Sequence, residues 1–197
     1  LTGTTLRGAT LSEALLQQAN LTGVDLTGSV MWYTNLTGAK LDNAKLHGVY
    51  LAGATLTDAT AATADLSRAT LTGTTLAGTT LREADLTQVD LSGRYLSRFD
   101  LPGANRTAAN LTLANLSDAN LTKANLTGAT LHLADLAGAK QAGGNFTRVD
   151  LSGRDFSRYN LSGADFTGAN LSGANPTRAN LDGATLRGAN LSRVNLS

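Results

Sequence analysis

The sequence predicts a solenoid, and three observations carry that expectation. Leucine or a substitute falls on every fifth residue from Leu1 to Leu196 without an insertion or deletion. Of forty such positions, thirty-two are leucine, and the rest are Met31, Ala61, Arg106, Gln141, Phe146, Phe156, Phe166 and Pro176. Finally, no straight element can gather a period of five. On an α-helix five residues advance by roughly 140° net, so the leucines would scatter. On a strand an odd step throws successive leucines to opposite faces. A chain that bends by a similar angle after every five residues points all of them at a common axis, and stacked circuits close the core.

The columns around each central residue fit that geometry. Two places before it stands alanine, as at Ala9, Ala114, Ala119 and Ala124, a size that suits a second inward position beside a packed leucine. One place before it stands Asn, Asp or Thr (Asn20, Asp25, Asn105, Asn110, Asp165), and one place after it usually Thr or Ser (Thr22, Ser92, Thr127). Two places after it stands glycine in half the repeats (Gly3, Gly23, Gly163, Gly173), with Arg98, Asp118 or Lys123 as polar replacements. Glycine there marks a bend with special backbone angles. Asn and Asp tolerate turns, bond nearby amides and can form ladders between circuits.

The consensus Ala-(Asp/Asn)-Leu-(Ser/Thr)-Gly, met to the letter at Ala109-Asn110-Leu111-Thr112 and Ala169-Asn170-Leu171-Ser172-Gly173, resembles the pentapeptide-repeat family over the whole chain. The resemblance implies an all-β fold: a right-handed quadrilateral β-helix with one pentapeptide per side and about ten coils of 20 residues. The period alone would also allow three sides. At a coil spacing of about 4.8 Å the rod would be on the order of 45–50 Å long.

Composition sets further bounds. The unbroken comb argues for one domain, 1–197, since no linker, charge run or composition shift interrupts it. No stretch is long enough to span a membrane and none reads as a signal peptide, which favours the bacterial cytoplasm. The chain has no cysteine, so disulfide and thiol chemistry are excluded. A net charge of +1 with interspersed signs gives no strong field for nucleic acid or anionic lipid.

Catalysis needs unlike groups converging on a pocket, and a Leu/Ala-filled solenoid offers none. The two histidines, His47 and His132, follow central residues and should point outward, too far apart to share a metal. No Ser/His/Asp set, metal spacing or phosphate-cradling loop occurs. The expectation is a non-enzymatic protein with no catalytic residue, cofactor, metal or small-molecule substrate.

The exceptions to the repeat supply the candidate sites. Arg94, Phe99, Arg154 and Tyr159 stand where alanine belongs, in two related segments sixty residues apart. An arginine cannot sit unpaired in such an interior. Either the backbone bulges and turns these side chains outward, or the arginines find carbonyl or carboxylate partners at a corner. Their functional reading is a pair of Arg/aromatic contacts along one side. Arg106 and Gln141, at central positions, should disturb the core locally, Pro176 removes a donor, and Ala61 should leave a void. A weak zone around 94–106 is expected, with faster amide exchange than 111–136. A second set is exposed and apolar: Val30, Trp32, Tyr33 and Tyr50 share one side, with Leu113 and Leu133 at neighbouring corners further along. Aromatics on a Thr/Ser/Asn surface suit an interface.

The leading functional expectation is a structural or interaction module, a rigid scaffold, fibre segment or docking surface. The partner is a protein or a second copy, with end-to-end stacking through uncapped ends as one form of association. The alternative is a DNA-mimicking modulator of a type II topoisomerase such as gyrase, a role some family members have and which the near-neutral charge disfavours. A third reading is ice binding through the column Thr87, Thr107, Thr127, Thr147 and Thr167, flanked by Asp85, Asn105, Asn125, Asn145 and Asp165.

Overall fold

Along most of the chain each fifth residue bridges in parallel to the residue twenty further on, as Thr5 to Asp25, Val30 to Tyr50 and Asn125 to Asn145 do. One circuit of the chain therefore takes four five-residue units, and the product is a solenoid of single-residue β-bridges joined by turns. The computed structural model describes residues 1–96, 99 and 101–194. Two positions of the sequence reading, Arg98 and Leu196, lie outside them.

Each unit is held by a small set of backbone bonds. The central amide donates to the carbonyl nineteen residues on (Leu6 to Asp25, 2.7 Å), and the corner amide does the same (Gly8 to Thr27, 3.0 Å). The residue before the centre donates twenty-one residues back (Asp25 to Thr4, 2.9 Å), and a turn bond closes the bend (Ala9 to Leu6, 3.1 Å). Every described corner residue has φ between 53° and 70°, whether glycine or one of the eighteen others such as Tyr33, Leu113 and Arg148. The fold thus imposes left-handed backbone on side chains that disfavour it, at a cost on the order of 1 kcal/mol each. Glycine in half the units limits that cost.

The Asn/Asp column works as the sequence implied. Asn125 Oδ1 accepts from the Thr127 amide at 3.1 Å and hydroxyl at 2.7 Å, and Asn125 Nδ2 donates to Asn105 Oδ1 at 3.2 Å. Such a side chain satisfies a turn amide and ties two circuits together.

Leucines at the centre and alanines at the second inward position form one buried cluster. Phe146 and Phe166 stack with centroids 5.3 Å apart. Gly144 makes room for them: a Cβ there would lie 2.9 Å from the Phe146 ring and 3.0 Å from the Gln141 carbonyl oxygen.

The structure bears on three expectations. Arg106 and Gln141 are fully buried and keep their turn bonds, Ala109 to Arg106 and Gly144 to Gln141, both 3.0 Å, and Arg106 also keeps its ladder bond to the Asn125 carbonyl at 2.7 Å. The turn geometry fixes the main chain, and the misfit falls on side-chain hydrogen bonding. No bulge forms at Arg94 or Arg154, whose turn bonds to Leu91 and Leu151 persist at 3.3 Å. Phe99 stays inside at 7% exposure, because an apolar ring gains nothing by leaving the core. The weak zone is not confined to 94–106, since the ladder is broken at two places, one of them within 129–160.

Candidate functional site

Two kinds of irregularity stand out on the solenoid: an aromatic patch and two seams in the ladder. The patch lies on one side of neighbouring circuits. Val30 bridges Tyr50, the Met31 amide donates to the Tyr50 carbonyl at 2.8 Å, and the Tyr33 amide to that of Ala52 at 3.0 Å. These bonds hold Trp32 (48% exposed), Tyr33 (69%) and Tyr50 (46%) outward beside half-buried Val30. Tyr33 lies across Gly53, where a Cβ would come 2.4 Å from its ring, so this glycine admits the aromatic corner. Leu113 and Leu133 occupy the same corner as Tyr33 four and five circuits along, exposed at 60% and 67%. Four circuits are about 19 Å, so the structure divides the six residues into two areas. Tyr95, 84% exposed, was missed by the sequence reading, although its place before a central residue is an outward one.

The seams arise at the outliers. Thr34, Thr74 and Thr79, also at the alanine position, donate their hydroxyls to the carbonyl twenty-three residues back: Leu11 at 2.9 Å, Leu51 at 2.8 Å and Leu56 at 2.7 Å. Bridges flank these bonds, including Thr55 to Thr75 and Thr60 to Thr80. Arg154 and Tyr159 make the same step with longer arms. Arg154 Nη2 donates to the Leu131 carbonyl and Nη1 to that of Ala134, and Tyr159 Oη donates to that of Leu136 at 2.9 Å. An arginine or tyrosine reaches about 4–5 Å further from its Cα than a threonine, close to one strand spacing. Here the ladder opens: Thr130 does not bridge Asp150, Asp135 does not bridge Asp155, and Lys140 does not bridge Asn160. The amides of Leu131, Leu133, Leu136 and Gln141 on one lip, and of Asp150, Asp155 and Asn160 on the other, make no ladder bond. The fourth side stays closed, with Asp165 donating to the Gly144 carbonyl at 2.9 Å and Phe146 to that of Asp165 at 2.7 Å. The opening contains cavities of about 760, 410 and 280 Å³, one on each open side.

The same pattern recurs sixty residues earlier. Among the described residues, Thr70 does not bridge Asp90 and Thr75 does not bridge Tyr95, next to Arg94 and Phe99. Arg94 Nε is buried without a partner. Arg154 thus faces the neighbouring circuit and its carbonyls, as the second sequence alternative had it.

Burial dominates the electrostatics of Arg154 and lowers its pKa, against the raising fields of Asp135 and Asp150. Tyr159 is raised, chiefly by burial, and its ring meets Phe156 edge-on at 5.8 Å. Arg106 is pushed down to about 9 by burial alone. Its Nη2 donates to the Leu101 carbonyl at 3.0 Å, while Nε and Nη1 have no partner. Gln141 Oε1 and Nε2 are likewise buried and unpartnered. The one ion pair among the described residues is Arg7–Asp25 at 3.5 Å, and Arg7 is 63% exposed there.

His47 Nδ1 lies 2.8 Å from Ser67 Oγ, whereas His132 is exposed at the seam. Among the described residues no group of three His, Cys, Asp or Glu is placed to hold a metal, and no helix is long and apolar enough to cross a membrane. The threonine column is already engaged. The hydroxyls of Thr87, Thr107, Thr127 and Thr167 donate to Asp85, Asn105, Asn125 and Asp165 at 2.5 to 2.7 Å.

A family model described as pentapeptide repeats matches the chain in eight copies, over residues 1–32, 19–58, 64–101, 95–128, 114–153 and 160–197. No curated protein matches in sequence. Among solved structures the chain is similar to HetL, a pentapeptide repeat protein involved in heterocyst differentiation regulation in the cyanobacterium Nostoc sp. The identity is 33%, covering 96% of this chain and 85% of that one, with a TM-score of 0.37. It is also similar to a pentapeptide repeat protein of the Arabidopsis thaliana thylakoid lumen, at 34% identity over 57% of this chain and 68% of that one, TM-score 0.28. Trypsin-treated QnrB1, a plasmid-mediated fluoroquinolone resistance protein, shares 23% identity over 99% of this chain and 84% of that one, TM-score 0.41.

Proposed function

The chain belongs to the pentapeptide-repeat family, and from that premise we propose that it is a non-enzymatic interaction module: a single-domain, right-handed, quadrilateral rod of about ten coils that docks a protein partner or a second copy of itself. The supporting observation is the patch of Trp32, Tyr33 and Tyr50, three neighbouring aromatics exposed by 46–69%. Rigid aromatics bury much area at small entropic cost, which is what an interface anchor requires. The strained corner at Tyr33 (φ 55°) fits that reading, since a glycine would serve the turn better. Gyrase modulation by DNA mimicry, the alternative, calls for an acidic surface, whereas the net charge is +1. Ice binding calls for free hydroxyls, whereas four of the five in the threonine column are donated to Asn and Asp side chains.

Trp32 is the only tryptophan, so its emission reports on the patch directly. Sedimentation velocity over a wide concentration range, or with a partner protein, should show association with a blue shift of that emission. The triple substitution W32A/Y33A/Y50A should abolish it. Association that proceeds with unshifted emission, or survives the triple substitution, would remove the patch from the interface.

A further inference from the structure

We propose that the seam held open by Arg154 and Tyr159 is a binding slot for an acidic polypeptide segment, which follows the bends of the solenoid and pairs as a partial circuit between the two lips. The inference rests on reading the chain as a protein-docking module, and it adds a second contact, in the backbone of the seam, to the one at the aromatic patch.

Three observations converge. The first is hydrogen bonding. Unpaired main-chain donors line both lips along three successive sides, with the carbonyls that would have received them opposite. An open ladder edge is a template for another chain, and strand addition is how extended peptides use such edges. The gap suits a single occupant. The Arg154 and Tyr159 arms exceed a threonine by about 4–5 Å, so the lips part by roughly the width of one added strand. Both arms prop the inner rim, which leaves the outer part of the slot to the cavities.

The second is Gln141. Its backbone amide makes no ladder bond, and the residue lines the cavity on the third open side. A peptide carbonyl in the slot would satisfy that amide, while the carboxamide stays in the core, fully buried and unpartnered.

The third is charge. Lys140, Arg148, Arg154 and Arg158 line the cavities against Asp135, Asp150 and Asp155. Each of these aspartates already accepts a turn amide, from Ala137, Ser152 and Ser157 at 2.9 to 3.0 Å. None of the four cations makes an ion pair with another described residue. Arg154 is held by the Leu131 and Ala134 carbonyls, and acidic side chains on the incoming segment would supply partners for Lys140, Arg148 and Arg158.

The test uses the whole chain and a fluorescein-labelled octapeptide of alternating Glu and Thr, with amide exchange read residue by residue. Saturating probe should slow exchange at Leu131, Leu136, Asp150 and Asp155 by tenfold or more while Trp32 emission stays unchanged. N-methylation of alternate peptide bonds should weaken binding by about tenfold or more, as the loss of one or two ladder bonds requires. A Lys-Thr octapeptide should bind more weakly than the Glu-Thr one. R154A/Y159A, which removes the props, should lose the probe. Should that variant not fold, the N-methylated peptide on the native chain still decides the matter. Equal binding of the N-methylated or lysine peptide, or of the probe by a folded R154A/Y159A, overturns the proposal. So does protection of the same amides by inorganic phosphate alone, which makes the slot an anion site, or by raised protein concentration alone, which makes its occupant a second copy. An unresponsive seam beside a responsive Trp32 would refute the slot and leave the module reading intact.

Discussion

Tyr159 Oη donates to the Leu136 carbonyl at 2.9 Å, the twenty-three-residue step by which Thr79 Oγ1 reaches that of Leu56 at 2.7 Å. The acceptor and the chain position are equivalent. What differs is the length of the arm, and with it whether the circuits meet. Bridges join Thr55 to Thr75 and Thr60 to Thr80, but none joins Asp135 to Asp155 or Lys140 to Asn160.

If the arms are the props, shortening them should close the ladder. The variant R154A/Y159A restores the alanine found at Ala134 and Ala139 in the previous circuit. It gives up the Arg154 and Tyr159 side-chain bonds and regains ladder bonds at up to seven amides. At about 1 kcal/mol net per bond and with some loss of aromatic packing, the net gain should be about 1–3 kcal/mol. Hydrogen exchange at Leu131 and Leu136 should slow to the level of Leu116 and Leu121. Exchange that stays fast there would mean that something other than arm length opens the seam.

Arg106→Leu should also stabilise the chain. The guanidinium is fully buried, pushed down to about 9 by desolvation, and has only the Leu101 carbonyl as partner. Leu86 and Leu126 occupy the same column in the adjacent circuits, so leucine fits the site by construction. Replacing a buried charge by a well-packed aliphatic group is worth about 1–4 kcal/mol. Urea unfolding should show that gain with an unchanged slope. A loss would mean that the arginine has a partner not evident from its surroundings.

The comb, the bends and the Asn/Asp ladder were legible because each is a local consequence of five residues repeated forty times. Gly3 or Gly163 announces a corner by itself, and Asn125 bonds a turn amide two residues away. Trp32, Tyr33 and Tyr50 were legible as exposed because the register fixes which residues face out. The seams were not legible. Arg154 and Tyr159 could be seen as outliers, but whether the backbone bulges, the side chain leaves or the ladder yields depends on a competition between arm length and several bonds in another circuit. The one available signal was the threonine at positions 34, 74 and 79, which marks the alanine column as able to reach the preceding circuit's carbonyls.

Gly144→Ala tests the packing beside the closed side of that seam. Gly144 stands at the alanine position, so the unit's consensus would favour the change. The added Cβ would meet the Phe146 ring at 2.9 Å and the Gln141 carbonyl oxygen at 3.0 Å. Phe146 is pinned by its stack on Phe166 and cannot swing away cheaply. Overpacking of this kind costs about 1–3 kcal/mol. Thermal unfolding should show the loss, and the double variant G144A/F146L, which restores the commoner pair, should recover most of it.

Acid should loosen the ladder in a defined window. Asp165 lies below its ordinary value of 3.8, first because the Thr167 hydroxyl and amide donate to it, at 2.6 and 2.8 Å. Asp150 and Asp155 are lowered as well, led by the amides of Ser152 and Ser157. A carboxyl whose folded pKa is depressed contributes stability that is complete above the unfolded value and lost as pH falls through the folded one. Stability should therefore be level in this respect above pH 3.8 and fall below it. Asparagine serves the same turn without a titrating proton, as Asn105, Asn125 and Asn145 do in the column of Asp165. The variant D150N/D155N/D165N should keep the fold at neutral pH and flatten the acid limb of the unfolding curve. An acid limb as steep as that of the native chain would place the acid-sensitive groups elsewhere, Asp25 and Asp90 being the next depressed carboxylates to replace.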